Sequence, residues 1–438
     1  MPDSANLGDA LSASTFTLLF LSALTLMIVL RLWLGARQIA YVRAHRNVVP
    51  AQFADRITLS AHQKAADYCI TRVRFGRLAL TVEVAVLLAF TLGGGLQALH
   101  DFWSVRLDGI GYGVALIFSV MAISGAVDLP LSLYSQFVIE QRFGFNRMTL
   151  RLFLVDLVKQ LALGAVIGTP VLIAVLWLMA RMGEAWWLYV WLFWCAFNLL
   201  ILFVYPAWIA PLFNRFTPLA DEGLKTRIEA LLTRCGFANS GLFVMDGSKR
   251  SAHGNAYFTG FGRNKRIVFF DTLLSRLNPP EVEAVLAHEL GHFSHRHIVK
   301  RIVLIFGATL LLLYLLGHAM QTGWFYAGLG VNAAGAHNTA MALILFFEVI
   351  PVFSFLATPL SSLLSRRHEF EADRYAAAHA SASDLVKALV KLYEDNAATL
   401  TPDPLHSLFY DSHPPAAQRI ARLSALSSDN PAMPPAHR

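Results

Sequence analysis

The sequence has little charge and almost no cysteine for its length. Only 15% of its 438 residues are charged, whereas a soluble protein carries about 25%. The three cysteines are odd in number and far apart, at Cys69, Cys195 and Cys235, and they offer neither a disulfide framework nor a C-x-x-C metal site. Any bound metal must therefore be held by histidine and carboxylate side chains.

The N-terminus lacks the basic segment of a secretory signal. It begins M-P-D-S-A-N-L-G-D-A, which is acidic, so we expect the first apolar run to be a retained membrane helix. The net charge of +7 is typical of a membrane protein with loop Lys and Arg on its cytoplasmic side. We therefore expect a lipid bilayer as partner and no nucleic acid.

Hydrophobic residues are abundant, at 56% of the chain, and they are concentrated in long runs. A membrane-spanning helix needs about 20 mostly apolar residues, and seven runs qualify, which predicts an α-helical polytopic membrane protein. The runs are approximately Thr15–Leu34, Leu78–Leu99, Ile110–Leu131, Leu161–Ala180, Trp186–Trp208, Ile302–Met320 and Met341–Leu360. Three acidic residues lie inside these runs, where charge is costly, so we expect them to face a polar cavity or else to lie near an interface: Glu83, Asp128 and Glu348.

Basic residues alternate between the connections. Lys and Arg are frequent after the first, third, fifth and seventh runs and rare in the intervening loops. Threading seven spans in order puts every basic connection on one side, which predicts an outside or lumenal N-terminus and a cytoplasmic C-terminus. The alternative is that one weak run is re-entrant, which would break the alternation.

The stretch Ala284–His297, A-V-L-A-H-E-L-G-H-F-S-H-R-H, contains an H-E-x-x-H spacing. On a helix, His288 and His292 lie on one face, so both imidazoles can reach one Zn²⁺, and Glu289 lies beside them to accept a proton from water. Asn278 is a suitable N-cap for this helix. The motif alone leaves open a surface helix that happens to be rich in histidine.

A catalytic zinc needs a third protein ligand. His295 lies seven positions after His288, about 10.5 Å along a helix axis, so one straight helix cannot bring all three imidazoles to one metal. We therefore expect His295 and His297 to be polar residues where the helix nears the membrane, and not ligands.

The segment Ser365–Ala376, S-R-R-H-E-F-E-A-D-R-Y-A, offers carboxylates instead. Glu369 and Asp373 are four positions apart and share a helical face. Glu369 can complete a His₂Glu set, and Asp373 can accept the N–H of a ligand imidazole. Glu371 points to another face, but these residues alone leave it open as the ligand, and they also leave open an ordinary solvated acidic helix.

Polar segments flank the last two membrane runs. Asp221–Cys235 is predicted to be an amphipathic helix, and Gly241–Met245 and Arg266–Phe270 are predicted to be short strands joined by Arg250–Gly262. Arg366–Arg438 is predicted to be helical and to end in a disordered tail rich in Pro and Ser.

Several blocks resemble the type I CAAX prenyl protease family, integral-membrane zinc metallopeptidases of the farnesylated-protein-converting type. The blocks are L-P-L-S-L-Y-S-Q-F-V-I-E-Q-R-F-G-F-N, I-A-P-L-F-N-R-F-T-P-L, G-S-K-R-S-A-H-G-N-A-Y-F-T-G-F with K-R-I-V-F-F-D-T-L-L, H-E-L-G-H, R-R-H-E-F-E-A-D and Y-D-S-H-P-P-A-A-Q-R-I. They extend over nearly the whole chain and are far more specific together than the zinc motif alone.

The resemblance implies a fold and a division of the chain. Seven transmembrane helices enclose a chamber, and a cytoplasmic-side zinc metallopeptidase domain contains a small β-sheet. Residues 1–208 then hold transmembrane helices 1–5, and residues 301–362 hold helices 6 and 7. The zinc-peptidase domain is split between residues 209–300 and residues 363–438.

The resemblance also implies roles for individual residues. One Zn²⁺ per chain is held by His288, His292 and Glu369. Asp373 then accepts a hydrogen bond from the imidazole of a ligand histidine. His413 and Arg419 flank the zinc and stabilise the reacting centre, although His413 by sequence alone would be a surface residue in a turn. Substrate pairs as an added strand with Asn255, Ala256 and Tyr257.

The predicted function is therefore a zinc endopeptidase that acts as a CAAX-type processing protease and hydrolyses peptide or protein substrates, C-terminally prenylated ones among them. One alternative is a membrane-protein quality-control protease of broad specificity with no prenyl requirement. A second, from another class, is a polytopic transporter or channel, which fits buried charges in seven spans but leaves the zinc motif unexplained.

Overall fold

The computed structural model of the chain describes residues 12–259, 264–332 and 338–428. The acidic N-terminal start and the predicted disordered tail lie outside the described residues, as does part of the predicted connection 250–262. The first half of the chain is helical: α1 (Ala13–His45), α2 (Leu59–Phe90), α3 (Gly95–Ser104), α4 (Gly109–Tyr134), α5 (Leu150–Arg181), α6 (Trp186–Val204) and α7 (Ala210–Phe213).

The second half contains the strands as well as ten further described helices. The strands are β1 (Phe216–Pro218), β2 (Ala238–Met245), β3 (Ala256–Thr259) and β4 (Asn264–Phe270). The helices are α8 (Glu222–Arg234), α9 (Asp271–Leu274), α10 (Pro279–Ser294), α11 (His297–Ala319), α12 (Gly323–Ala327), α13 (Asn338–Ser354), α14 (Thr358–His379), α15 (Ala382–Asp395), α16 (Pro404–Tyr410) and α17 (Ala416–Ser428).

Within the described ranges, six helical segments are long and apolar enough to cross a membrane, and a bent pair is a seventh candidate. The bent pair is α2 with α3, which meet at an angle of 47° across the glycine-rich break. Gly94 has a φ of 78°, a left-handed conformation that glycine adopts without strain. All seven predicted runs overlap these segments, so the predicted count is reached when the bent pair is one span.

The membrane helices share one hydrophobic core. Phe20, Tyr112 and Leu116 are almost fully buried in it, while large apolar side chains such as Leu161 remain exposed on the helix surfaces, as lipid-facing residues would be. Of the acidic residues within the spans, Glu83 accepts a hydrogen bond from Arg31 at 3.1 Å. That these acidic residues face a cavity stays a prediction.

A four-stranded sheet forms in the polar segment, with strand order β1-β2-β4-β3. β2 pairs with β4 in parallel, whereas β1 and β3 pair antiparallel with β2 and β4. β3 is therefore an edge strand. The predicted strands Gly241–Met245 and Arg266–Phe270 are confirmed within the longer β2 and β4, and the predicted amphipathic helix is confirmed as α8, whose apolar residues are buried.

The helix with the H-E-x-x-H motif, α10, begins as predicted at Asn278, in a capping box with Glu281. It packs closely on α14, the continuation of the last membrane segment. A Cβ atom at Gly291 would lie 2.9 Å from the Cα of Ala372, so this glycine permits the contact between the two backbones. The close packing brings the two motif histidines against the carboxylates of α14.

Candidate metal centre

Three side chains converge where α10 meets α14. The Nε2 atoms of His288 and His292 are 3.3 Å apart. Glu369 Oε2 lies 3.5 Å from His288 Nε2, and Glu369 Oε1 lies 3.4 Å from His292 Nε2. Four tetrahedral ligands at the bond lengths of zinc lie about 3.4 Å from one another. These separations therefore fit one metal ion, and the group is the one metal-binding cluster found among the described residues.

The oxygen chemistry of Glu369 gives a second test of the fit. The carboxylate is 5% exposed, and its Oε2 atom is buried without a hydrogen-bond partner among the described residues. An unsatisfied buried carboxylate oxygen is costly, and a cation between the three side chains would satisfy it. The residues present thus fit a metal ion.

His288 is supported from behind by a carboxylate. Its Nδ1 lies 2.9 Å from Asp373 Oδ1, and Arg419 donates to both oxygens of Asp373. Burial alone would lower the pKa of His288, but the nearby carboxylates of Asp373 and Glu369 outweigh it and raise that pKa to about 9. This imidazole is consequently held with Nε2 directed at the metal position.

His292 is supported by a second histidine that sequence reasoning missed. Its Nδ1 lies 3.0 Å from His297 Nδ1, and His297 Nε2 lies 2.9 Å from Glu371 Oε2. His297 is only 4% exposed, although the sequence suggested a polar residue near the membrane surface. Neither His297 nor Glu371 belongs to the metal-binding group found in the described part of the chain.

Glu289, the predicted general base, follows His288 on α10 and is half-buried. No ion pair within the described ranges engages its carboxylate.

The predicted reacting-centre residues also lie close to the metal group. His413 Nε2 is 3.5 Å from Glu369 Oε1, and Arg419 Nη1 is 3.6 Å from Glu369 Oε2. The two differ in exposure, because His413 is open to solvent while Arg419 is buried.

The predicted substrate-binding residues lie at the open edge of the sheet. Asn255 directly precedes β3, and Ala256 and Tyr257 are its first two residues. The side chain of Asn255 accepts a hydrogen bond from the Ala256 N–H at 2.8 Å. The outer edge of β3 therefore has backbone groups that β4 does not use.

A helical membrane bundle with a His₂Glu cluster, formed by the H-E-x-x-H helix and a neighbouring helix, defines a membrane-integral metallopeptidase. Family comparison agrees: the model "CAAX prenyl protease N-terminal, five membrane helices" matches residues 38–215, and "Peptidase family M48" matches residues 218–427. The chain belongs to peptidase family M48, in its group of CAAX prenyl proteases. This confirms the predicted enzyme class and leaves the transporter or channel alternative without support.

Individual relatives extend over most of the chain. CAAX prenyl protease 1 of Saccharomyces cerevisiae is 38% identical over 88% of this chain and 91% of its own length. The CAAX prenyl protease 1 homolog of Mus musculus is 32% identical over 87% of this chain and 90% of its own length. The crystal structure of S. mikatae Ste24p matches with a TM-score of 0.86 and 31% identity, over 93% of this chain and 98% of that one. The predicted fold class, a multi-pass helical protein with a small sheet, is confirmed.

Proposed function

We propose that this metallopeptidase uses one Zn²⁺ per chain, bound by His288, His292 and Glu369, to process proteins with a prenylated C-terminus. The observation that carries the proposal is the buried His₂Glu cluster with its tetrahedral spacing and its unsatisfied carboxylate oxygen. Two imidazoles and one carboxylate are a donor set typical of catalytic zinc. The prenylated substrate is supported by the yeast and mouse relatives, which are named as CAAX prenyl proteases.

Glu289 is proposed as the proton carrier. When bound, zinc acts as a Lewis acid toward a water molecule and the scissile carbonyl. A carboxylate of Glu289 accepts the proton that the water loses as it attacks, and then delivers it to the amine of the leaving peptide. Its position beside His288, free of ion pairs with the described residues, suits this role.

His413 and Arg419 are proposed to support the negative charge that develops on the carbonyl oxygen. His413 is exposed and lies 3.5 Å from Glu369, so its Nε2 can donate to a substrate atom near the metal position. Arg419 is buried and is bound to Asp373, so it contributes its charge from behind the ligands. Asp373 in turn orients His288.

The substrate is proposed to lie extended along Asn255–Tyr257. β3 is the edge strand of the sheet, and an extended peptide can add to such an edge through main-chain hydrogen bonds. Main-chain hydrogen bonds depend little on the side chains of the substrate. This mode of binding therefore suits a protease that accepts many sequences before its cleavage site.

The arrangement in the membrane is also a proposal. The alternating basic loops favour an outside or lumenal N-terminus, with the metal centre and C-terminus in the cytoplasm. One hydrophobic core includes residues of α8, α10, α15 and α17, which supports a metallopeptidase domain assembled from residues 209–300 and 363–438. Residues 1–208 and 301–362 then form the membrane part.

Peptide cleavage by the purified full chain tests the proposal. We expect a prenylated C-a-a-X peptide to be cleaved, a chelator to stop cleavage, and zinc to restore it. Glu289→Ala should lose at least about a hundredfold in kcat while the exposed Glu222→Ala variant keeps full activity.

Three results would contradict the proposal. Cleavage that resists the chelator, or full activity in Glu289→Ala, would refute the zinc-protease mechanism. Equal rates for prenylated and unprenylated forms of one peptide would remove the prenyl requirement and favour the quality-control alternative.

A further inference from the structure

The two ligand histidines are supported in different ways. His288 contacts a carboxylate directly, through Asp373. His292 instead contacts the imidazole of His297, which in turn contacts the carboxylate of Glu371. A metal-ligating imidazole nearly always has a partner at its second ring nitrogen, and such partners affect metal affinity. The contacts of His297 and Glu371 therefore bear on the metal centre itself.

A backbone turn brings His297 to His292. On a continuous helix, a residue five positions later lies about 140° around the axis and cannot reach the same side chain. Here α10 ends, and Arg296 adopts a left-handed conformation with φ 55° and ψ 34° before α11 begins at His297. This conformation is unfavourable for a residue with a Cβ atom. Such strain persists where the surrounding structure determines the conformation.

α14 holds His297 through two contacts. The ring of His368 stacks on His297 with 4.0 Å between centroids and 12° between planes, and Glu371 Oε2 lies 2.9 Å from Nε2. Glu371 is itself paired with Arg367 at 3.2 Å. The helix that contributes the ligand Glu369 thus also fixes the partner of the ligand His292.

One arrangement of protons satisfies every contact. His292 has its Nε2 directed at His288 and Glu369, so Nδ1 carries the hydrogen of a neutral metal ligand. His297 then accepts at Nδ1 and donates from Nε2 to Glu371, which needs no proton of its own. The chain of contacts fixes a single tautomer and ring orientation for His292.

We propose that His297 and Glu371 are positioning residues of the metal centre, which act on the metal through His292. The proposal rests on the metal site of the proposed function. The sequence alone left Glu371 open as an alternative metal ligand. The proposal instead makes Glu371 a partner of His297, which supports the ligand His292. Neither side chain is required to touch the substrate.

Metal affinity of the purified full chain tests this directly, by competition for Zn²⁺ with a chromophoric chelator. We expect His297→Ala and Glu371→Ala to bind zinc about 10- to 100-fold more weakly. His297→Gln should recover part of the loss, because its amide can accept from His292 and donate to Glu371. Glu371→Gln should recover part as well, because it keeps an oxygen acceptor. The exposed Arg374 on α14 provides a control, Arg374→Ala, with unchanged affinity.

Two further measurements separate positioning from folding. The absorption spectrum of Co²⁺-substituted protein reports the ligand geometry and should change in His297→Ala but not in Arg374→Ala. In a double variant, His297→Ala with Glu371→Ala, the loss of affinity should equal that of His297→Ala alone, because Glu371 acts through His297. Thermal unfolding of the metal-free proteins shows whether each variant is folded.

The outcomes are distinct. Wild-type affinity and an unchanged Co²⁺ spectrum in folded His297→Ala would overturn the positioning role, as would fully additive losses in the double variant. A wild-type chain that binds no metal would refute both this inference and the proposed function. A chain that binds zinc and cleaves no peptide would refute the proposed function alone, since affinity still reports the support of His292.

Discussion

Arg419 donates two hydrogen bonds to Asp373, from Nη2 to Oδ1 at 2.6 Å and from Nε to Oδ2 at 2.9 Å, and both side chains are buried. Burial disfavours the charged guanidinium, but the Asp373 carboxylate outweighs that effect and raises the pKa of Arg419. Asp373 also contacts His288. The pair therefore joins α17 to the metal centre, in addition to any part that Arg419 has in the reaction.

Removing one partner of this pair should be strongly destabilising. We expect Arg419→Gln to lower the free energy of unfolding by about 3 kcal/mol, because the buried Asp373 carboxylate loses its guanidinium partner and keeps only His288. Arg419→Lys keeps the charge without the paired geometry and should be intermediate. Denaturant titration in detergent measures both. The exposed Arg422 on the same helix is the control: Arg422→Gln, which loses a stacking contact with Phe370, should cost at most about 1 kcal/mol.

The register of β3 permits a test of substrate pairing. Asn255 O accepts from Phe270 N at 3.0 Å, and Ala256 pairs with Phe269 in the antiparallel ladder. Because bonded and non-bonded pairs alternate, the Ala256 N–H points away from β4, as its bond to the Asn255 side chain confirms.

Ala256→Pro should therefore raise KM several-fold to about tenfold, since the substrate loses one main-chain donor while the β3–β4 ladder is kept. Ala256→Val is the matched control, because it enlarges the side chain and keeps the N–H. Steady-state kinetics on a C-a-a-X peptide measure both. An unchanged KM in the proline variant would show that substrate does not pair at this position.

Local spacing explains why much of the site could be predicted. Two pairs of residues four positions apart, His288 with His292 and Glu369 with Asp373, share helical faces wherever the helices lie. The membrane runs and the amphipathic face of α8 are likewise periodic patterns of single segments. The choice of Glu369 over Glu371 required the packing of α14 on α10, or else the family resemblance.

Features that depend on one backbone angle or on distant segments could not be predicted. The contact of His297 with His292 follows from the positive φ of Arg296, and arginine gives no sign of a left-handed turn. Similarly, the ion pair between Arg250 and Asp156 joins positions 94 residues apart. The sequence pattern around Arg250 or Asp156 does not indicate that the other residue is its partner.

Arg366 connects the ligand helix to the segment that carries His413. It lies one turn before Glu369, and its guanidinium donates to the backbone oxygens of Ser407 and Asp411, the second at 3.1 Å. Asp411 precedes His413 by two residues. These contacts of Arg366, together with the Arg419–Asp373 pair, fix the position of His413 relative to Glu369.

Arg366→Gln should lower kcat by about 10- to 100-fold, because small displacements of a group near the reacting atoms are costly. Zinc content should stay at one per chain, since the three ligands do not contact Arg366 in the described structure. Arg374→Gln, an exposed position on the same helix, should leave kcat unchanged. Loss of zinc together with activity would show instead that Arg366 maintains α14 itself.

Metal uptake should release a proton. In the metal-free protein the pKa of His288 is about 9, so its ring is protonated at neutral pH, and Nε2 must lose that proton before it can bind a metal. Apparent zinc affinity should therefore rise about tenfold per pH unit below pH 9 and level off above it. Calorimetric titrations in two buffers of different ionisation enthalpy count the protons released.

The same pKa predicts the opposite trend for the stability of the metal-free protein. The folded-state pKa is raised above the ordinary value of 6.5, so the stabilisation by Asp373 and Glu369 is fully present below pH 6.5. It is lost as pH rises through 9. Thermal unfolding of the chelator-treated protein should show a midpoint that falls over this interval, and zinc should abolish the fall because it requires the neutral ring. A midpoint of metal-free protein that rises between pH 6.5 and 9 would show that His288 is neutral before the metal binds.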